Sequence, residues 1–306
     1  MFLLSPSCQI CQNAIDMDQE KQVCLLCPRA CGAPRTPEEP GWCGADEGFQ
    51  DVRLSSLMPH HGEENFISGY AGSGTIFFTG CSLKCCFCQN FELSHEGRGR
   101  RLSPPLFLEK IESLLKWGVH NLNLVTPSHY ADRLPQIFDQ LRQRAIWRAR
   151  PVPLIWNSSA YESLDSLRHV APMVDVYLAD MKFFDPLLSQ DLAEAPDYAD
   201  LALQALEEMQ RQQPRPRFDS RGLIRQGLVI RHLVLPGHSQ DSIRILDQLA
   251  DFIALDTPLS LMSQYRPRSG QLCPKRPDLQ RRLTPAEYQE VVSHARALGF
   301  SRILTQ

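Results

Sequence analysis

The chain has 306 residues, 43% hydrophobic and 22% charged, with a formal charge of −3, 11 cysteines and 23 prolines. That apolar content can bury a full core, and the slight negative charge excludes a general nucleic-acid binder, whose affinity comes from Lys and Arg neutralising phosphates. The start, MFLLSPSCQI, lacks the basic opening and apolar core of an export signal, and no apolar run reaches the ~18 residues of a membrane span.

The expectation is a cytoplasmic protein in contact with neither membrane nor nucleic acid. There, clustered cysteines serve metal or redox chemistry rather than a disulfide framework. The basic runs GRGRR (97–101) and RQRAIWRAR (142–150) read as solvated loop and helix faces.

Residues 1–70 are rich in Cys, Pro and Gly and carry neither helical nor strand periodicity, which predicts a small loop-rich metal-binding module ahead of a second domain over 71–306. Cys24, Cys27, Cys31 and Cys43 follow C-x2-C-x3-C-x11-C, enough thiolates for a closed four-ligand site. A structural zinc suits this pattern and would help fold so short a segment; an auxiliary iron-sulfur cluster is the alternative. Cys8 and Cys11 add a separate C-x2-C, and MPHHGEEN (58–65) reads as a solvated linker, with a second metal site as the other reading.

From about residue 72 short apolar runs alternate with amphipathic stretches. Strands are predicted at 74–80, 121–125, 152–157, 174–180, 228–235, 259–265 and 302–306. Among the helices, SPPLFLEKIESLLKWG opens on Ser103 as cap, sets Phe107, Ile111 and Leu114 on one face and stops at Gly118, and TPAEYQEVVSHARALG runs from Thr284 to Gly299. Strand and helix in strict alternation mean an α/β fold, a parallel sheet with crossover helices, open or curled into a barrel. Residues 187–226 are long for one crossover and 267–282 are irregular. Both are candidate lids, with plain surface insertions as the alternative.

Within GCSLKCCFCQN (80–90), Cys81, Cys85 and Cys88 form a C-x3-C-x2-C set directly after a predicted strand. A cubane iron-sulfur cluster gives each iron a thiolate, so three cysteines leave one iron for a non-protein ligand. Cys86 is off the pattern and reads as a packing residue turned away from the cluster; a zinc ion with a fourth ligand from elsewhere is the alternative reading of the trio.

This spacing, with Phe87 before the last cysteine, resembles the radical S-adenosylmethionine enzymes. From about Cys24 to the C-terminus, GSGTIFFTGCSLKCCFCQN, NLNLVTPSHY, WNSSAYES, VYLADMKFFD, APDYA, RHLVLPGH and LMSQYRP together resemble the uncharacterised iron-sulfur family of pyruvate formate-lyase activating-enzyme-like proteins. The resemblance implies a partial (β/α)6 TIM-type barrel with a 4Fe-4S cluster at the C-terminal edge of the strands. It further implies S-adenosylmethionine on the fourth iron and reductive cleavage to a 5′-deoxyadenosyl radical that abstracts hydrogen.

The implied substrate is a partner glycyl-radical enzyme, with a flavodoxin- or ferredoxin-type reductant. The alternatives are radical modification of a small molecule or another peptide, and a non-catalytic metal-stabilised interaction or electron-carrier protein.

Asp180 and Lys182, two apart, share one face of a strand; the resemblance implies that Asp180 organises the carboxylate end of the cofactor and that Lys182 faces the site as a catalytic candidate. A salt bridge closing the barrel mouth is the plainer reading. Asn157 and Ser158 end a strand and suit polar contacts to the cofactor. One of Arg231 and His232 faces the interior, which alternation alone leaves open; Arg231 is the catalytic candidate and His232 the core residue. Gln264 and Tyr265 are candidate substrate contacts. Where related activases carry a glycine-rich segment ending in an acid, this chain has VTPSHY, so Thr126, Ser128 and His129 are the candidate acceptors for the amino group, with His129 equally a substrate-side group.

Overall fold

The computed structural model describes residues 22–267, 273 and 275–305. The MFLLSPSCQI start and the Cys8/Cys11 pair lie outside the described residues, as do residues 268–272 and 274 of the irregular segment.

The strands are β1 (Val52–His60), β2 (Ser73–Phe78), β3 (Arg100–Leu102), β4 (Leu122–Val125), β5 (Leu154–Ser158), β6 (Val176–Asp180), β7 (Arg217–Phe218), β8 (Ile224–Leu233), β9 (Leu259–Met262) and β10 (Ile303–Thr305). The helices are α1 (Asn65–Ser68), α2 (Phe91–Ser94), α3 (Pro104–Lys116), α4 (Leu134–Arg142), α5 (Ala145–Ala149), α6 (Leu164–Val170), α7 (Pro186–Ala193), α8 (Tyr198–Gln212), α9 (Ser239–Phe252) and α10 (Pro285–Ala297).

Along the sheet the order is β10-β9-β8-β6-β5-β4-β2-β1-β3, and every neighbour from β2 to β10 pairs in parallel. The parallel strands β2 to β10 succeed one another across the sheet in chain order, with no reversal of the kind that splits a doubly wound fold. The result is a partial barrel, as the sequence resemblance implies, with antiparallel β1 and β3 continuing its β2 edge. Strand β1 therefore belongs to this sheet, although the sequence reading assigned its residues to the N-terminal module.

The pleat separates two apolar layers. Trp156, Tyr177, Ala179, Leu228 and Ile230 face outward against Phe107, Ile111, Leu206, Ile245 and Leu249 of the helices, whereas Ile155, Val176, Leu178 and Val229 face inward and close on Ile67 and Ile224. Ile67 belongs to α1, and its carbonyl accepts from the Asn121 side chain at 2.8 Å, at the start of β4. The segment around α1 thus plugs the barrel from the N-terminal ends of its strands.

Thr284 with Glu287 closes a full capping box at α10, whereas Ser103 stands at the N-cap position of α3 without a side-chain bond to the helix. Residues 187–226 depart from the lid expectation. They form α7, which packs on the loop after β2, then α8, and the short hairpin of β7 with the first residues of β8 at the N-terminal end of the strands. Among the described residues no helix is long and apolar enough to cross a membrane.

Candidate active site

The parallel strands end around one cavity of about 440 Å³. Phe78 of β2, Thr126 after β4, Asn157 and Ser158 of β5, Asp180 of β6, Arg231 of β8 and Gln264 after β9 all line it. Convergent polar groups at the C-terminal face of a parallel barrel mark the place where such folds do chemistry. Among the described residues, none of 187–226 or 267–282 lines it.

One wall is the loop after β2, which brings Cys81, Cys85 and Cys88 to the cavity together. The loop is gripped from two sides. The Cys81 amide donates to the Cys43 carbonyl at 3.2 Å, and Arg29 donates from Nε to the Ser82 carbonyl at 2.9 Å. On the other side the Lys84 and Cys86 amides donate to the Ala193 and Leu192 carbonyls of α7 at 3.2 and 2.9 Å.

Gly80 opens the loop at φ +96, and a Cβ there would stand 2.4 Å from the Cys43 carbonyl oxygen. Backbone strain and backbone collision then act together, so Gly80→Ala is expected to cost more than about 2 kcal/mol and to disorder the three-thiol wall. Urea unfolding and iron uptake of the variant check this.

Burial pushes the Cys81 thiol up to about 11 and the Cys85 thiol higher still, against the opposing charge of Lys182. The Leu83 amide donates to Cys81 Sγ at 3.4 Å, a contact that favours its thiolate, and the Ser94 hydroxyl donates to Cys88 Sγ at 3.3 Å. Among the described residues no three Cys, His, Asp or Glu side chains are gathered tightly enough to grip a single ion. A cubane asks something else of its ligands, one thiolate per iron at separate corners. Three cysteines on one loop, facing one polar cavity, fit that demand.

Across the cavity Lys182 donates from Nζ to Asp180 Oδ2 at 2.6 Å. Burial alone would lower the Lys182 ammonium, but Asp180 raises it, so the charged form persists. The pair is a salt bridge, the plainer sequence reading, and it faces the cavity. Thr126 sits at φ +57, a strained region for a β-branched residue, and is held there by its amide, which donates to the Asn157 carbonyl at 2.8 Å.

The floor was missed by the sequence reading. Glu63, in the run taken for a solvated linker, lines the cavity, and Glu64 is 2% exposed. Arg231 donates from Nε to Glu64 Oε1 at 2.9 Å and from Nη2 to both Glu63 and Glu64, while Asn123 donates to Glu63 Oε1 at 2.9 Å. For Arg231 burial would lower the pKa, but the two carboxylates raise it. Arg231 is therefore the interior residue of its strand but an anchored one. His232 faces the helices, bonded to the Met181 carbonyl at 2.7 Å and the Ser242 hydroxyl at 2.8 Å.

Three expectations for polar groups at the strand ends are corrected. His129 is 1% exposed and holds the Thr79 carbonyl at 2.8 Å through Nε2, and burial pushes it down to about 3; it is a core residue. Tyr265 donates its hydroxyl to the Leu279 carbonyl at 2.7 Å beneath the wall, leaving Gln264 as the cavity residue. Ser128 donates to Glu162 Oε1 at 2.6 Å, behind the site.

Glu162, which Trp156 also reaches at 3.0 Å, ties the turn after β4 to β5, and burial raises its pKa. Since an amide keeps an acceptor oxygen where the carboxyl accepts from Ser128 and Trp156, Glu162→Gln is expected to stay within about 1 kcal/mol of the native chain, and Glu162→Ala to lose about 2 to 3 kcal/mol. Thermal unfolding of the two variants measures the difference.

Elsewhere, Cys24, Cys27 and Cys43 are buried and Cys31 is exposed; burial raises the first three thiols, and neighbouring thiols of the same set raise them further. Cys86 is not a mere packing residue, because it is bonded to Cys273.

No family model matches the chain. An uncharacterized protein of Methanocaldococcus jannaschii is 28% identical over 282 residues, covering 89% of this chain and 74% of its own. Among solved structures, Streptococcus suis SuiB aligns with a TM-score of 0.48 at 13% identity over 74% of this chain, which spans 47% of SuiB. Methylornithine synthase (PylB) aligns with a TM-score of 0.41 at 16% identity, covering 74% of this chain and 68% of its own.

Proposed function

We propose that this chain is a radical S-adenosylmethionine enzyme whose reaction takes place in the cavity at the strand C-termini. The observation that carries the reading is the meeting of three loop thiols, Cys81, Cys85 and Cys88, with the polar strand ends in one cavity. A 4Fe-4S cluster held there would supply the electron that cleaves S-adenosylmethionine to methionine and a 5′-deoxyadenosyl radical.

The chain's own part is to bind and orient. Asp180 and Lys182 present opposite charges to a zwitterionic amino-acid moiety, and Asn157 with Ser158 offers side-chain partners next to them. Thr126 lines the same cavity from its strained turn, beside these groups. The plug beneath, fixed by Arg231, Glu63 and Glu64, keeps the N-terminal end of the barrel closed to water.

As substrate we read the glycine backbone of a partner glycyl-radical enzyme, with a flavodoxin- or ferredoxin-type protein as electron source. The sequence resemblance supports this choice. So does the cavity lining, to which, among the described residues, none of 187–226 contributes.

The experiment is anaerobic: the chain reconstituted with iron and sulfide, reduced with dithionite and given S-adenosylmethionine, is assayed for 5′-deoxyadenosine. Stoichiometric or greater product supports the radical reading. A fully loaded chain that forms none, with or without a glycyl-radical enzyme present, turns the reading toward an electron carrier.

A further inference from the structure

Of the four cysteines in the 81–88 loop, three line the cavity; Cys86 points out of it, to a partner 187 positions away. The Cα atoms of Cys86 and Cys273 are 5.5 Å apart, inside the range a disulfide spans.

Several contacts independent of the bond deliver Cys273 to this place. Asp191 of α7 pairs with Arg276 at 3.0 Å and with Lys275 at 3.7 Å, and the carbonyl of the next residue, Leu192, accepts the Cys86 amide at 2.9 Å. Tyr265 holds the Leu279 carbonyl and meets the Phe87 ring edge-on at 6.1 Å. One end of α7 thus carries both the loop and the stretch that bears Cys273.

We infer that Cys86 and Cys273 form a thiol–disulfide couple, separate from the three cavity thiols, that fastens the cysteine loop to the chain beyond β9 and releases it on reduction. The remaining described cysteines are free thiols. One cross-link among seven free cysteines is not a framework; an isolated bond of this kind is open to thiol exchange.

The step balances with a dithiol reductant. One of its thiolates attacks a sulfur of the pair, a mixed disulfide forms, and the second thiol resolves it. Two electrons and two protons pass to Cys86 and Cys273, and the reductant leaves as its own disulfide. In the oxidised form Cys86, flanked by Cys85 and Cys88, is also withheld from competing with them for iron.

The inference does not depend on the proposed radical chemistry, and its test uses no S-adenosylmethionine. The full chain, purified anaerobically, is equilibrated with reduced or oxidised dithiothreitol, alkylated, and mapped by peptide mass spectrometry beside amide hydrogen exchange. In the oxidised buffer a Cys86–Cys273 cross-linked peptide is expected. In the reduced buffer it disappears, and exchange across residues 82–90 quickens about tenfold or more. Cys273→Ser and Cys86→Ser should both exchange fast in either buffer.

Three results would overturn the inference: alkylation of both cysteines in the oxidised buffer, a cross-link of Cys86 to a cavity thiol in place of Cys273, or equal exchange of the native chain in the two buffers. The native-chain comparison stands even if a variant fails to fold.

Discussion

Replacing Cys85 with alanine is expected to abolish formation of 5′-deoxyadenosine and to leave far fewer than the roughly four irons per chain that a cubane carries. Cys85 lies mid-loop, 8% exposed, between two other thiols that face the same cavity. Its thiol is the one that burial raises furthest in this loop, and so the one that most needs a cationic partner to give up its proton. Two thiolates cannot hold three irons of a cubane, so loss of one affects assembly as a whole rather than a single bond.

Cys86→Ser is the sharp control, because the next residue along is bonded to Cys273 and takes no part in the cavity. It should retain native iron content under reducing reconstitution. Iron and sulfide assays with the visible absorption band of the cluster measure both variants. Equal iron in Cys85→Ala and the native chain would remove Cys85 from the ligand set and, with it, the three-thiol argument.

Much of the barrel was legible because its strands are buried on both faces and therefore read as unbroken apolar runs. The stretch predicted at 152–157 is β5, shifted by only a residue or two, and the one predicted at 228–235 is the latter part of β8, whose start is tied up in the hairpin with β7. Strand β1 escaped because its burial alternates only weakly and a proline stands near its end, as an antiparallel strand outside the parallel set allows.

At the site, side-chain period placed Asp180 and Lys182 on one face, and strand ends pointed to Asn157, Ser158 and Thr126. What could not be read was tertiary: Glu64 meets Arg231 across 167 positions, and Cys86 meets Cys273 across 187. No local period records such partners. The only visible signal for the floor was a pair of adjacent acids just ahead of the barrel together with a lone arginine mid-strand, a charge balance inside an otherwise apolar interior.

Arg231→Leu is expected to destabilise the chain by about 3 to 5 kcal/mol at neutral pH, the cost of breaking a buried pair by removing one partner. The Arg231 side chain is 13% exposed, and those of Glu63 and Glu64 are 9% and 1% exposed. Without the guanidinium two carboxylates share a space with no cation, and one of them must take up a proton. Burial by itself raises the Glu64 carboxyl; in the native chain the hydrogen bonds and charge of Arg231 outweigh that and hold it below its ordinary value.

The sign of the pH dependence follows. A carboxyl with a depressed folded pKa contributes stability above its unfolded pKa of roughly 4.3, and that contribution is lost as pH falls through the folded value. The native chain should thus hold its own contribution down to about pH 4, while Arg231→Leu, which takes up a proton on folding, gains as the pH falls from about 8, so the advantage narrows steadily and is lost below about 4. Arg231→Lys retains the charge but not the fork that spans both carboxylates, so it should fall between the two. Urea unfolding across this pH range decides the matter. A leucine variant as stable as the native chain at pH 7 would mean that Arg231 is not the anchor of the plug, and would return it to the catalytic role its strand position first suggested.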